Sequence, residues 1–220
     1  MGEKKNNLFI RYVLLMLGLF ICAVGQILFL YCDLGMNPLN VFHQGLTYYT
    51  PLSFGQVSQI VGFIIIIVCM FFKIFPGIAT ILNMYFLGFF MDIITESNII
   101  VTPSTLLGKL VMCVCGVVIL SLGMFLYVTQ ELGAGPRDGI MLAFTQRTKF
   151  KVGVIKNTME ITVLVIGIIL GGKFGIGTII ASILAGPTLQ YTFKIFKVNP
   201  KELKQENLID VFNKLKVKFN

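Results

Sequence analysis

Displaced by 98 residues against itself, the chain matches without a gap from about Arg11 to about Thr192. Gly18 and Gly25 fall on Gly116 and Gly123, and Leu34-Gly35-Met36-Asn37-Pro38 falls on Leu132-Gly133-Ala134-Gly135-Pro136. Further on, Thr47 and Thr50 meet Thr145 and Thr148, Gly55 meets Gly153, Gly77-Ile78-Ala79-Thr80 meets Gly175-Ile176-Gly177-Thr178, and Gly88 meets Gly186. Apolar coincidences are cheap between hydrophobic segments, but glycines, prolines and threonines holding one offset are not, so the chain reads as a duplicated unit. Its organisation follows as a first copy over 11–98 and a second over 99–196, flanked by a short N-terminal segment, 1–10, and a tail, 197–220.

Composition decides what the unit is. Hydrophobic residues make up 56% of the chain and charged residues 13%, and the mean hydropathy is +0.86, which is the balance of an integral membrane protein. A helix needs roughly 20 apolar residues to cross a hydrocarbon core of about 30 Å. Six stretches qualify, near Tyr12–Tyr31, Leu52–Phe72, Gly77–Ile94, Leu107–Tyr127, Val152–Leu170 and Gly175–Phe193. No small-residue cleavage site follows the first, so it is expected to be retained as a helix. The expected fold is an all-α, polytopic bundle of six membrane helices in two three-helix repeats, each with an extra short helix that is interfacial or re-entrant.

Three spans per copy is an odd number, so the second copy must start from the opposite side of the membrane. In a six-span arrangement Lys4, Lys5, Arg11, Lys73, Arg137, Arg147, Lys149, Lys151, Lys156 and the tail fall on one side, and only Lys109 and Lys173 fall on the other. The positive-inside rule then places both termini in the cytoplasm and inverts the copies. Inverted repeats are the usual build of secondary transporters. A stable bundle, channel or scaffold is the plainer consequence of duplication.

The net charge of +8 lies in the loops and tail, where it sets orientation and attracts anionic lipid rather than nucleic acid. In the tail, Asn199-Pro200 reads as a helix start. Leu208, Phe212, Leu215 and Phe219 recur beyond it at helical spacing among Lys201, Lys204, Lys214, Lys216 and Lys218. This is the pattern of a helix lying on the membrane surface or meeting a cytoplasmic partner. The cysteines, Cys22, Cys32, Cys69, Cys113 and Cys115, have no metal-ligand spacing and read as small apolar packing residues. No paired-histidine metal motif, nucleophile elbow or phosphate-binding loop points to an enzyme, and no motif calls for a cofactor.

In both copies a glycine-containing turn leads to a proline and about a dozen residues of helical apolar spacing. Asn37 is placed to cap the first short helix, with Pro38 and Pro136 at the opening positions. Helix starts of this kind, directed into a membrane protein, favour an anionic group. Arg137 and Asp138 are the sharpest polar pair there: either Arg137 binds an anion and Asp138 positions it, or Arg137 marks topology and Asp138 stabilises a helix start. Glu160 lies roughly 12 Å into the fifth span at 1.5 Å per residue, where an unpaired carboxylate is costly. Lys156 is one turn away and Asn157 is close, so Glu160 is a coupling or substrate-binding group or half of a packing ion pair. Its equivalent is Gly62, a break in the repeat. His43 and Gln44 lie on the first short helix, the histidine as a hydrogen-bonded interface residue or a proton switch. Gln56 and Gln59, Asn83 and Asp92, and Gln190 are expected to face the bundle interior, with Gln59 and Asn157 as an equivalent pair lining a central path.

Leu132-Gly133-Ala134-Gly135-Pro136-Arg137-Asp138-Gly139-Ile140-Met141-Leu142 is followed by Arg147-Thr148, Gly153, Glu160, Gly171-Gly172-Lys173-Phe174-Gly175-Ile176-Gly177-Thr178 and Gly186-Pro187. With Asn37-Pro38-Leu39-Asn40-Val41-Phe42-His43-Gln44-Gly45-Leu46, this resembles the bacterial YczE/YyaS/YitT group of multi-pass membrane proteins, most closely its YczE branch. Leu39 and Asn40 depart from that branch, which tends to carry Trp and Asp after the proline. The resemblance implies a bacterial plasma-membrane protein of transporter-like build and supplies no substrate. The expected function is alternating-access transport of a small polar or anionic molecule, with Asn37, His43, Gln44, Gln59, Arg137, Asp138, Lys156, Asn157 and Glu160 as site residues. The alternatives are a substrate-binding subunit with an energising partner, or a non-transporting scaffold or regulator; a homo-oligomer is compatible with each.

Overall fold

The computed structural model describes residues 8–133, 135–137, 144, 148 and 152–209, and of residues 152–154, 156, 157 and 201 it describes the backbone alone. Seven α-helices are described: α1 (Leu8–Tyr31), α2 (Pro38–Thr47), α3 (Phe54–Phe71), α4 (Ile78–Glu96), α5 (Leu106–Val128), α6 (Val152–Ile169) and α7 (Ile176–Ile195). No strand occurs among the described residues. Five of the helices, α1, α3, α4, α5 and α7, are long and apolar enough to cross a membrane, and the sixth expected span forms α6, whose described apolar part is Thr158–Ile169. Side chains such as Phe63, Phe71, Ile161, Ile169 and Ile183 stand exposed on the outside of the bundle, as lipid contact requires. The chain is a multi-pass membrane protein.

Local chemistry sets the helix ends. Asn37 caps α2 by accepting from the Asn40 amide at 3.0 Å, with Pro38 in the first turn. Ser53 and Gln56 form a reciprocal capping box at α3. The starts of α4 and α7 share one device 98 residues apart: the Thr80 hydroxyl accepts from the Gly77 amide at 3.0 Å, and the Thr178 hydroxyl accepts from the Gly175 amide at 3.4 Å.

The centre of the bundle is the pair α1 and α5. Added side-chain carbons at Gly18 and Gly25 would lie 2.8 Å from the Tyr127 amide nitrogen and 2.7 Å from that of Leu120. Rising residue numbers on α1 meet falling numbers on α5, so the two helices run antiparallel. Gly123 faces Gly18 and Gly116 faces Gly25, so the two contacts are equivalents of each other at the 98-residue offset. Leu15, Leu19 and Cys22 pack with Tyr127 at one end of this seam, and Phe29 and Cys32 pack with Cys113 and Val117 at the other. The cysteine side chains fill space here, although Cys115 on the same helix is exposed.

Outward from this seam, α4 packs on α1 and α7 on α5. The connections cross between copies: the Gly177 amide donates to Leu34 O at 2.7 Å, and its equivalent, the Ala79 amide, donates to Leu132 O at 2.8 Å. Helix α2 lies against α6, where Phe42 and Val41 crowd Gly167 and Gly172, and Leu170 crowds Gly45. Across the molecule the end of α3 receives the second copy's segment, with the Phe72 and Phe144 ring centroids 5.9 Å apart.

One equivalent contact differs between the copies. Gly55 of α3 and Gly88 of α4 press backbone to backbone. Asp92 secures the start of α3, accepting from the Ser53 hydroxyl at 2.5 Å and the Gly55 amide at 2.9 Å. At Gly186, the equivalent of Gly88, an added carbon would meet nothing within 4 Å, and among the described residues α6 packs on α2 rather than on α7. Gln190, the equivalent of Asp92, is exposed, and so is Gln56, which is used in its cap. Neither faces the interior as expected, since α3 holds Gln56 at its solvent end and α7 leaves the Gln190 face uncovered.

Over residues 203–207 the tail departs from the helical expectation. After a 3-10 turn at Pro200–Glu202 the chain crosses one end of the bundle as an extended strap. Gln205 Nε2 donates to Val128 O at 2.9 Å, the Glu206 amide to Glu131 O at 3.1 Å, and the Leu208 amide to Pro76 O at 3.0 Å. These backbone bonds replace the ones a continued helix would have supplied. The expected amphipathic stretch begins as a helix at Leu208 and Ile209, and the rest of it, through Phe219, lies outside the described residues.

Replacing Gly25 by valine puts three carbons where one already collides with the α5 backbone, and overpacking of this kind costs about 1–3 kcal/mol. The purified Gly25→Val protein should therefore unfold at a lower temperature than the parent in thermal denaturation. Gly62→Val, whose added carbon would meet the flexible Met84 side chain, should lose less.

Candidate functional site

A cavity of about 540 Å³ lies among α2, α3 and α6, and reaches Arg137 at the start of the second copy's short segment. Its walls are almost entirely apolar. Three pairs of lining residues are equivalents 98 apart: Leu39 and Arg137, Val61 and Met159, Ile65 and Val163. A cavity lined by matching positions of both copies sits where the copies meet face to face.

The cavity carries one ion pair, made by Arg137 Nη2 and Glu160 Oε1. The two side chains are 36% and 25% exposed, so both remain open to the cavity. An Arg fork matches a carboxylate geometrically, and pairing removes the cost of an isolated charge among apolar walls. The equivalents of Arg137 and Glu160 are Leu39 and Gly62, so one copy supplies both charges. The structure thus joins residues that sequence spacing assigned to separate pairs. The position of Asp138 and the side chains of Lys156 and Asn157 lie outside the described residues.

Polar groups brace α2 beside the cavity. Asn37 Nδ2 donates to Gln26 Oε1 at 3.1 Å, and Asn40 Nδ2 donates to the same oxygen. Gln26 is five residues before the end of α1, which at 1.5 Å per residue places the start of α2 about 8 Å below that end. Gln44 Oε1 accepts from the Lys173 amide at 2.7 Å, tying α2 to the connection between α6 and α7. His43 is buried beside Phe42 and Phe54, and neither ring nitrogen has a hydrogen-bond partner. It is therefore not the hydrogen-bonded interface residue that the sequence reading offered. Gln59 turns away from the cavity, its amide donating to Tyr85 O on α4 at 2.8 Å. Gln26 went unread in the sequence because a single amide in an otherwise apolar span has no periodic signal, and its equivalent is Met124.

The chain matches the model of a family of unknown function, DUF6198, over residues 9–194. It belongs to the DUF6198 family. An uncharacterized membrane protein, YczE, of Bacillus subtilis (strain 168) is 35% identical over 190 residues, covering 86% of this chain and 87% of that protein. An uncharacterized protein of Haemophilus influenzae (strain ATCC 51907 / DSM 11121 / KW20 / Rd) is 31% identical over 182 residues, 83% of each chain. The uncharacterized protein YyaS of Bacillus subtilis (strain 168) is 23% identical over 184 residues, 81% of this chain and 90% of that one. No solved structure matches.

In this DUF6198 chain the two cations that stood on the side opposite the others, Lys109 and Lys173, converge on one carboxylate. Their Nζ atoms lie 3.1 Å and 2.5 Å from Asp33 Oδ2 and Oδ1. The two lysines hold the Asp33 carboxyl below its ordinary value of 3.8, chiefly through the hydrogen bond from Lys173. The equivalent of Lys109 is Arg11, which binds the Gln130 carbonyl at the other end of the bundle. Each copy therefore pins the turn that follows the other copy's first helix.

Because the folded Asp33 pKa is depressed, its contribution to stability is complete above the ordinary carboxylate value and disappears as pH falls through the folded one. Asp33 sits at φ 55°, a conformation asparagine also tolerates, so Asp33→Asn removes charge without backbone conflict. Melting temperatures should separate parent from Asp33→Asn by a constant margin from pH 7 down to about pH 4, and the gap should close below that. A margin independent of pH would assign the difference to something other than the carboxylate.

Proposed function

We propose that the chain is a secondary transporter that moves a small polar or anionic molecule by alternating access of two inverted copies. The observation that carries this reading is a cavity lined by equivalent residues of both copies and holding a single Arg137–Glu160 pair. The antiparallel α1–α5 seam and the crossed connections at Leu34 and Leu132 support the inversion. The unequal contacts support the alternation: α3 is sealed on α4 at Gly55 and Gly88, while the Gly186 face of α7 is bare. Exchanging which copy is sealed changes which way the cavity opens.

The positive-inside rule supports a cytoplasmic position for both termini. Asp33 pairs with both Lys109 and Lys173 and offsets one of the two charges that ran against it. A bacterial plasma membrane is the location this reading requires. The basic tail supports attachment to anionic lipid on the cytoplasmic side.

Glu160→Gln leaves the shape of the cavity and removes the charge that Arg137 faces. Metabolite profiling of cells and medium should find a compound redistributed by the unaltered chain, and redistributed far less by Glu160→Gln made in equal membrane amounts. No redistribution by the unaltered chain, or the same redistribution by both, would contradict transport through this cavity.

A further inference from the structure

The cavity that this reading takes as the transport site also limits what it accepts. Its volume, about 540 Å³, falls in the range of small-molecule sites. Among the described lining residues the charged groups are Arg137 and Glu160, and they neutralise each other. The described lining therefore carries one matched pair of opposite charges, surrounded by Val57, Ile64, Leu46 and similar side chains.

Two charge balances can be compared. An anion that takes Arg137 leaves Glu160 unpaired, and a cation that takes Glu160 leaves Arg137 unpaired. Breaking one partner from an ion pair set among apolar walls is unfavourable, because the remaining charge has no compensation there. A solute with one positive and one negative group replaces one pair by two and leaves nothing uncompensated. The apolar walls then require an apolar body between or beside the charges, since polar groups placed there would lose water without gaining partners. The start of α2, with Pro38 and Leu39 in the cavity wall, adds a partial positive charge that favours the anionic end.

We propose that the cavity binds a small zwitterion with an apolar body, its carboxylate taking Arg137 and its ammonium taking Glu160. The solute opens the Arg137–Glu160 pair and closes it again on leaving. Coupling to the copies' movement follows, because Arg137 belongs to the second short segment and Glu160 to α6, two elements that the pair joins only while the site is empty.

The test uses the purified full-length protein in lipid nanodiscs and reads ligand-induced stabilisation. Leucine and phenylalanine are compared with the matched amines, isoamylamine and phenethylamine, and with the matched acids, isocaproate and hydrocinnamate. At least one zwitterion should raise the melting temperature at a concentration about thirtyfold or more below its amine and its acid, the factor expected when a charge is left unpaired. The effect should vanish in Arg137→Gln/Glu160→Gln, which keeps two side chains of similar size without charge. Should that variant fail to fold, Arg137→Glu/Glu160→Arg retains one charge of each sign and should still distinguish zwitterions from the singly charged compounds. Stabilisation by an amine or an acid equal to that by its zwitterion, or no stabilisation by either zwitterion, would overturn the proposal. Binding is read here without flux. Zwitterion binding in a chain that redistributes no metabolite would thus leave the ligand class standing and overturn transport, and redistribution of a singly charged compound would do the reverse.

Discussion

The close approach of α1 and α5 sets the geometry on which the remaining helices depend. Lipid tails are as apolar as leucine, so these helices gain little by hiding apolar surface from the bilayer, and close backbone packing must hold them together. Glycines supply that closeness at two places, Gly18 against Gly123 and Gly25 against Gly116. Because the two places are one contact repeated at the 98-residue offset, any movement of one copy on the other has to turn about this seam or break it twice. The Gly55–Gly88 contact, which has no counterpart at Gly186, lies away from it. In the proposed transport cycle the seam is the fixed frame, and α3 and α6 are the elements free to differ.

Duplication also accounts for the cavity. Equivalent positions of α3 and α6 line the same space, in the pairs Val61 with Met159 and Ile65 with Val163. Symmetry alone would give an apolar site. Chemistry enters only where the copies have diverged, with Arg137 opposite Leu39 in the repeat and Glu160 opposite Gly62. Two charges contributed by one copy thus share a cavity whose walls come from both.

Much of this was legible in the sequence, for physical reasons. Helix existence followed from apolar length, and the bounds of α3 and α6 repeat at the offset, Phe54–Phe71 against Val152–Ile169, as glycine and proline punctuation predicted. Asn37 and Pro38 announced the start of α2. Long-range partners were not legible. Glu160 was paired with Lys156 by helical spacing, whereas the pair described is with Arg137, 23 residues earlier, because folding a loop against a helix leaves no periodic trace. Gln59 was matched with Asn157 by offset, yet its side chain turns to α4. Asp92 was expected to face the bundle interior, but its partner, the start of α3, was not legible. Repeat symmetry predicts where a backbone goes more reliably than which neighbour a side chain meets, since one altered contact such as Gly88 against Gly186 redirects every side chain near it.

The central claim is that equivalent contacts in the two copies exchange between sealed and open. Four exposed positions report it directly: Phe63 and Tyr85 on α3 and α4, and their equivalents Ile161 and Ile183 on α6 and α7. Spin labels on each pair, in full-length protein in lipid nanodiscs, would be measured by double electron–electron resonance with and without the bound solute. The account predicts two distances for each pair, with the short α3–α4 distance favoured under the same conditions as the long α6–α7 distance, and both populations shifting together in opposite senses. A single unchanging distance in both pairs would contradict it.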